Sequence, residues 1–134
     1  MDEAYCSAMR EQLAELDEDL QLLAKSMAEK GYADRHEYRA AERNLQLLVE
    51  ACIGIGKRML KARGQHVPNQ AREVFAKLQS LGLDTGDVSW NKVIGMRNAL
   101  VHDYLNVDRG LVLDVVAAGH YQDLLAFAEK ALRN

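Results

Sequence analysis

The chain predicts an all-α fold, an up-down bundle of about five helices, and three observations carry that prediction. Its 134 residues include a single proline, Pro68. Hydrophobic residues make up 49% of it and recur at intervals of three and four, the spacing that lines one face of a helix. No segment alternates apolar and polar residues as a half-buried strand does. The length suits one domain, residues 1–134, large enough to bury a core of its own.

In the first third, Met9, Leu13, Leu16, Leu20, Leu23 and Met27 form one apolar stripe, while Glu11, Glu15, Asp17, Glu18 and Asp19 lie mostly off it. Gly31 ends this helix as the residue that takes the left-handed cap conformation. A second helix is expected from about His36 to Arg63, with a stripe of Tyr38, Ala41, Leu45, Leu48, Cys52, Ile55 and Met59, and with Gly64 as its stop. The connection between the two is short, so they should pair antiparallel.

Pro68 suits the first turn of a third, shorter helix that turns Ala71, Val74, Phe75 and Leu78 inward and closes at Gly82. Asp84-Thr85-Gly86-Asp87 reads as a loop able to cap a fourth helix, expected over about Asp87 to Tyr104. One final helix from about Asp108 should bury Leu113, Val116, Leu124, Phe127 and Ala131. Four of the five are long enough to make the main core.

Charge and cysteine content narrow the function classes. The net charge of −3 gives no general attraction to nucleic acid, yet it is unevenly spread. Residues 1–34 carry net −6, residues 35–77 net +5 and residues 78–134 net −2. A basic middle third can guide a polyanion, although charged helix faces are most often simply solvated. Cys6 and Cys52 make no disulfide framework and stand in no zinc-binding spacing. No secretory leader is expected, since Asp2, Glu3 and Arg10 interrupt the start, and no apolar run approaches the ~18 residues of a membrane span. A reducing, cytoplasmic location is expected.

The chemistry concentrates in Arg97-Asn98-Ala99-Leu100-Val101-His102-Asp103-Tyr104. An arginine, a histidine and a tyrosine at fixed short spacing are a bidentate phosphate binder, a group that titrates near neutrality and a phenol. On an uninterrupted helix Arg97 and Tyr104, seven residues apart, share a face, and His102 lies one turn beyond Asn98. These side chains would then border a groove from two sides, leaving Leu100 and Val101 to pack inward. One helix makes only an open half-site, which is a geometric reason to expect a symmetric homodimer. Arg97 can grip a phosphate and stabilise charge that develops on it, Asn98 can donate to a phosphate oxygen or orient the imidazole, and His102 near a helix end suits general acid–base work. RNA supplies its own nucleophile, the 2′-hydroxyl, so no metal and no cofactor is called for.

This segment resembles the arginine, four residues, histidine, one residue, tyrosine signature of the HepT-like branch of the HEPN superfamily, the toxin half of HepT–MntA toxin–antitoxin pairs. The resemblance extends over nearly the whole chain. Glu50-Ala51-Cys52-Ile53 is similar to that family's second-helix segment, and Leu113-Asp114-Val115-Val116 to the entry of its last helix. It implies a homodimeric, metal-independent ribonuclease acting on RNA, tRNA being the expected substrate, with Arg97 and His102 catalytic and Asn98 as their polar neighbour. It also implies a partner, a minimal nucleotidyltransferase antitoxin that transfers AMP from ATP to Tyr104. Such groups would put bulk and negative charge beside Arg97. Arg58, Lys61 and Arg63 suggest an RNA-binding face but correspond to no motif position of the family.

Plainer readings stand beside these. An isolated arginine at position 97 would most simply pair with Asp103 or with an acid on another helix, and Tyr104 would anchor the helix end. His36, His66 and His120 read as ordinary surface or core histidines, Cys52 as core, and Trp90 as a helix-start anchor or a partner-facing surface. Gly54-Ile55-Gly56-Lys57 looks like a fragment of a phosphate loop, but it falls inside a helix with no preceding strand, so its glycines are better read as allowing close helix approach. The second functional class is a non-catalytic helical partner that docks a nucleotidyltransferase and serves as its substrate.

Overall fold

The structure is a computed structural model and describes residues 1–133. Among the described residues it contains six α-helices and no strand. Helix α1, Glu3–Lys30, is capped by Asp2, whose carboxylate accepts from Ala4 N at 2.7 Å. Its buried row of Cys6, Leu13, Leu16, Leu20, Leu23 and Met27 follows the expected stripe from Leu13 onward, with Met9 packed at the margin. Gly31 takes φ 81 and donates to Met27 O at 2.8 Å, the left-handed cap that only glycine adopts without strain.

Helix α2, Arg35–Ala62, opens with a capping box in which Asp34 accepts from Glu37 N and the Glu37 carboxylate accepts from Asp34 N. Lys30 and Ser26 of α1 both reach the same Glu37 carboxylate, pinning the turn between the two long helices. All of the expected stripe except half-buried Met59 is buried, and Val49, Ala51, Ile53 and Leu60 are buried besides. The wider apolar face has a cause: α2 packs against every other helix and forms the axis of the bundle.

Three boundaries differ from the sequence expectation. Helix α3, Ala71–Ser80, begins three residues after Pro68, which lies in the preceding loop rather than in the helix's first turn. Helix α4 is Trp90–His102. It starts later than expected, and the Asp84–Asp87 loop does not cap it: Asp84 instead accepts from Gly86 N and from the Trp90 indole Nε1, the latter at 2.6 Å. It ends earlier because Asp103 adopts φ −148 and ψ 58, outside the helical region, so Tyr104 belongs to a separate 3₁₀ turn, Tyr104–Asn106.

The expected last helix is two. Helix α5, Arg109–Ala117, is N-capped by Asp108, and α6, Tyr121–Arg133, follows at an angle of 65°. The break falls at Gly119, with φ 75, and Asp114 and His120 face each other across it at 3.5 Å. The break shifts the buried register of α5 to Val112, Val115 and Val116, leaving Leu113 half-buried. In α6, Leu124 and Ala131 are buried as expected, whereas Phe127 is half-buried.

One continuous core joins all six helices. At its centre Phe75 of α3 stacks on Trp90 of α4 with centroids 3.6 Å apart, and both meet Phe127 of α6 edge-on. Trp90 is thus the helix-start anchor, not an exposed surface. Gly56 of α2 permits the approach of α3, since a Cβ there would meet Val74 and Leu78 at 3.2 Å. No single described helix is long and apolar enough to cross a membrane.

Candidate active site

Helix α4 carries the candidate residues, and its own packing explains how it presents them. Trp90, Ile94 and Met96 hold its first half in the core. Exposure then rises along the helix: Arg97 and Asn98 are half-buried, and Val101 and His102 reach the surface. Val101 therefore does not pack inward as expected; it is 42% exposed, and Leu105 beyond it is 97% exposed.

Arg97, Asn98 and His102 line one open cleft of about 310 Å³ between α4 and the start of α3. The opposite wall is Asn69, Gln70, Ala71 and Arg72. Arg97 Nε is fully buried and has no hydrogen-bond partner, and Arg97 forms no ion pair among the described residues. The pairing with Asp103 that an isolated arginine would suggest is absent there. A buried N–H on a cation left without an acceptor is costly, and among the described residues no carboxylate neutralises this guanidinium beside the cleft. His102 is the last residue of α4, at the open rim, where it can reach a ligand lying over Arg97.

Arg72 is a second cation in this cleft that sequence reasoning missed. It sits on the solvent side of α3 and donates from Nη2 to Asn91 O at 3.2 Å, which aims its guanidinium across to α4. Gly95 is the accompanying signal: a Cβ there would press on this guanidinium at 3.1 Å. The Arg58, Lys61 and Arg63 group behaves differently. All three are exposed, but Arg58 stacks over the Tyr5 ring at 3.7 Å, while Lys61 and Arg63 lead into the loop that reaches the cleft wall at Asn69. Burial raises the Tyr5 hydroxyl above its usual range, with Arg58 opposing.

Tyr104 is not part of this cleft, and it does not share a helix face with Arg97. The chain turns at Asp103 and carries the phenol back onto α2. Tyr104 Oη donates to Glu42 Oε1 at 2.7 Å and accepts from the Arg39 guanidinium, which lies 5.6 Å from the ring centre. Glu42 is the one buried charged side chain among the described residues, and its other oxygen, Oε2, has no partner. Tyr38 Oη, also buried without a partner, neighbours it. Burial and the Glu42 carboxylate together push the Tyr38 hydroxyl up to about 12. Neither Glu42 nor Arg39 was legible as a site residue, because a charge next to the Ala41 stripe looks like solvated helix surface.

Among the described residues no three His, Cys, Asp or Glu side chains gather as a metal site would require. Cys6 and Cys52 are both buried, and Cys52, whose thiol donates to Leu124 O, is pushed far up by burial.

This arrangement has relatives. Over 88 residues, 64% of this chain and 65% of the relative, the sequence is 34% identical to the mRNA nuclease HepT of Shewanella oneidensis (strain ATCC 700550 / JCM 31522 / CIP 106686 / LMG 19005 / NCIMB 14063 / MR-1). The match thus spans just under two thirds of that protein's length. The fold is that of the tri-AMPylated Shewanella oneidensis HEPN toxin solved in complex with an MNT antitoxin, at a TM-score of 0.82, 24% identity and coverage of 99% of this chain and 98% of that one. A toxin–antitoxin crystal structure with AMP-PNP matches at a TM-score of 0.73 and 23% identity, over 98% and 99% of the two chains. A sequence model of the Ribonuclease HepT-like family spans residues 9–131, and the chain belongs to that family.

Proposed function

We propose that this chain is a metal-independent endoribonuclease toxin, active as a symmetric homodimer and silenced by adenylylation of Tyr104 by a minimal nucleotidyltransferase antitoxin. Residues 1–134 act as one cytoplasmic domain in this reading. The observation that carries it is Arg97: a half-buried guanidinium with an unpartnered Nε, in a cleft that also holds Arg72, Asn98 and His102.

In the proposed reaction, Arg97 and Arg72 hold the scissile phosphate and Asn98 fixes a phosphate oxygen. The RNA 2′-oxygen attacks phosphorus and the bond to the 5′-oxygen breaks, leaving a 2′,3′-cyclic phosphate and a free 5′-hydroxyl. One imidazole takes the 2′-proton and a protonated one donates to the departing oxygen. Attack and departure occur on opposite sides of phosphorus, so two copies of His102 facing each other across a dimer cleft supply both roles. Exposed Val101 and Leu105 beside the motif support such pairing, since a second copy would cover them.

RNA is the substrate class. The family resemblance suggests tRNA and the Shewanella relative is named an mRNA nuclease, so both are arms of the test. Unmodified protein is incubated with total tRNA or with a transcript in EDTA, beside the Arg97→Ala/His102→Ala double variant. Cutting by wild type alone, with cyclic phosphate ends, is expected. No cutting by either protein, with Tyr104 confirmed unmodified by mass spectrometry, would leave the non-catalytic partner of a nucleotidyltransferase as the better reading.

A further inference from the structure

The buried carboxylate under Tyr104 is a group that RNA cleavage does not use. Glu42 lies on α2, outside the Arg97–His102 cleft. Burying a carboxylate is unfavourable unless its oxygens are satisfied, yet Oε2 has no partner and Oε1 is shared by Tyr104 Oη at 2.7 Å and Arg39 Nη1 at 3.3 Å. The phenol thus stands between a proton acceptor and a cation. The residue stays 46% exposed, so a reagent can approach it from solvent.

We infer that Glu42 and Arg39 are the chain's own machinery for accepting the adenylyl group, Glu42 as the base that takes the proton from Tyr104 and Arg39 as the cation that receives the incoming phosphate. This rests on Tyr104 being the residue modified. A phenol with its usual affinity for protons, near pKa ~10, is a weak nucleophile at neutral pH. As Tyr104 Oη attacks the α-phosphorus of a nucleoside triphosphate, its proton passes to Glu42 Oε1. The Oη–phosphorus bond forms, the bond from that phosphorus to the bridging oxygen breaks, and pyrophosphate leaves with the electron pair. Arg39 is half-exposed and lines, with Arg35, Arg109 and the capping Asp34, a cleft of about 300 Å³. It needs only to swing from the phenol oxygen to the phosphate, and the two neighbouring arginines add positive charge while Asp34 opposes.

Tyr38 fits the same device. Its buried hydroxyl has no partner and faces the carboxylate, so it can hold the far oxygen of Glu42 while the near one takes the proton. Modification also removes the only proton with which Tyr104 can donate to Glu42. The hydrogen bond from Tyr104 to Glu42 is thereby erased, leaving Arg39 as the α2 residue that holds the modified side chain.

Two measurements on the full chain test this. In the first, wild type, Glu42→Gln and Arg39→Ala are incubated with ATP and a minimal nucleotidyltransferase antitoxin shown to bind the chain, and Tyr104 is followed by peptide mass spectrometry from pH 6 to 9. The amide oxygen of Glu42→Gln still accepts from the phenol, so the fold is retained, which circular dichroism checks. Transfer to Glu42→Gln is expected to be roughly 100-fold slower at pH 7 and to climb as hydroxide replaces the missing base, while wild type stays nearly flat. A Glu42→Gln variant with wild-type rate and pH profile would overturn the inference. In the second, Tyr104 is acetylated with N-acetylimidazole, no antitoxin being present, with exposed Tyr32 as internal control. Faster acetylation of Tyr104 in wild type than in Glu42→Gln, at equal Tyr32 rates, supports activation by Glu42, and equal Tyr104 rates overturn it. No transfer from ATP to wild-type Tyr104 alongside Glu42-dependent acetylation overturns Tyr104 as the adenylyl acceptor instead, so the two failures are distinguishable.

Discussion

A methyl group at Gly95 would meet the Arg72 guanidinium at 3.1 Å, so the smallest residue of α4 makes room for a cation from α3. Gly95→Ala therefore separates function from stability. Arg72 is exposed and flexible, so its displacement is cheap, and replacing a helical glycine gains up to about 1 kcal/mol. The expected outcome is an equal or higher melting temperature with KM for RNA raised roughly 3–10-fold, the worth of one solvent-facing charge contact. Arg72→Ala should raise KM similarly. An unchanged KM in both would remove Arg72 from the site.

Arg97 works in the opposite sense. Its buried, unpartnered Nε costs folding free energy that an apolar side chain of similar length does not. Arg97→Met is expected to raise the urea midpoint, by about 1 kcal/mol in unfolding free energy, and to lower cleavage roughly 100-fold or more. A destabilised Arg97→Met variant would mean that the guanidinium is satisfied in solution.

The two inner glycines of α2 should respond differently to alanine. At Gly56 a Cβ meets Val74 and Leu78 at 3.2 Å and Phe75 at 3.5 Å, all fully buried, so Gly56→Ala is expected to cost about 1–3 kcal/mol by overpacking. At Gly54 the nearest atom is Tyr5 Oη at 3.4 Å, and helix propensity favours Gly54→Ala by up to about 1 kcal/mol. Thermal melts of the pair should rank Gly54→Ala above wild type and Gly56→Ala below it.

Acid sensitivity should centre on the α1–α2 turn. Lys30 and Ser26 hold the Glu37 carboxyl down to about 2, from its ordinary value of 4.5. A depressed carboxylate stabilises the fold above its unfolded value, and that contribution disappears as pH falls from about 4.5 to 2. The same pair raises Lys30, so its contribution is full below the ordinary lysine range and fades as pH rises through the raised value. Denaturant midpoints for wild type and Glu37→Gln should differ at pH 7 and converge near pH 2. A constant gap would assign the turn's stability to something other than this ion pair.

Leu105, almost wholly exposed, and Val101, one turn earlier in sequence, test the dimer. Leu105→Asp and Val101→Asp should leave the melting temperature of a dilute monomer unchanged. Sedimentation should move toward 15.0 kDa and cleavage should fall together with it. A Leu105→Asp variant that sediments and cuts like wild type would rule out this face.

What the sequence made legible was whatever depends on one helix at a time. The stripes of α1 and α2 follow from spacing alone, as do the glycine caps at Gly31 and Gly64, both with positive φ. The α5–α6 break was hidden because apolar residues continue through it, and a lone Gly119 does not distinguish a tolerated helical glycine from a turn. Tyr104 was misplaced for a related reason: one non-helical residue, Asp103, resets the direction of everything after it. Arg97, Asn98 and His102 were singled out by their motif, and the fold brings all three to one cleft. Arg72, Arg39 and Glu42 were not, because each is placed by a contact between helices that no periodicity encodes.

The unpartnered guanidinium at Arg97 also shapes how such a gene decays. Most inactivating substitutions in a small protein weaken its fold and expose it to proteolysis. If Arg97 acts as proposed, one substitution there removes activity while sparing or even strengthening the fold, so a folded but inactive copy would be the most accessible descendant of an active one. In that reading, position 97 offers a route by which cleavage is lost and the bundle is kept.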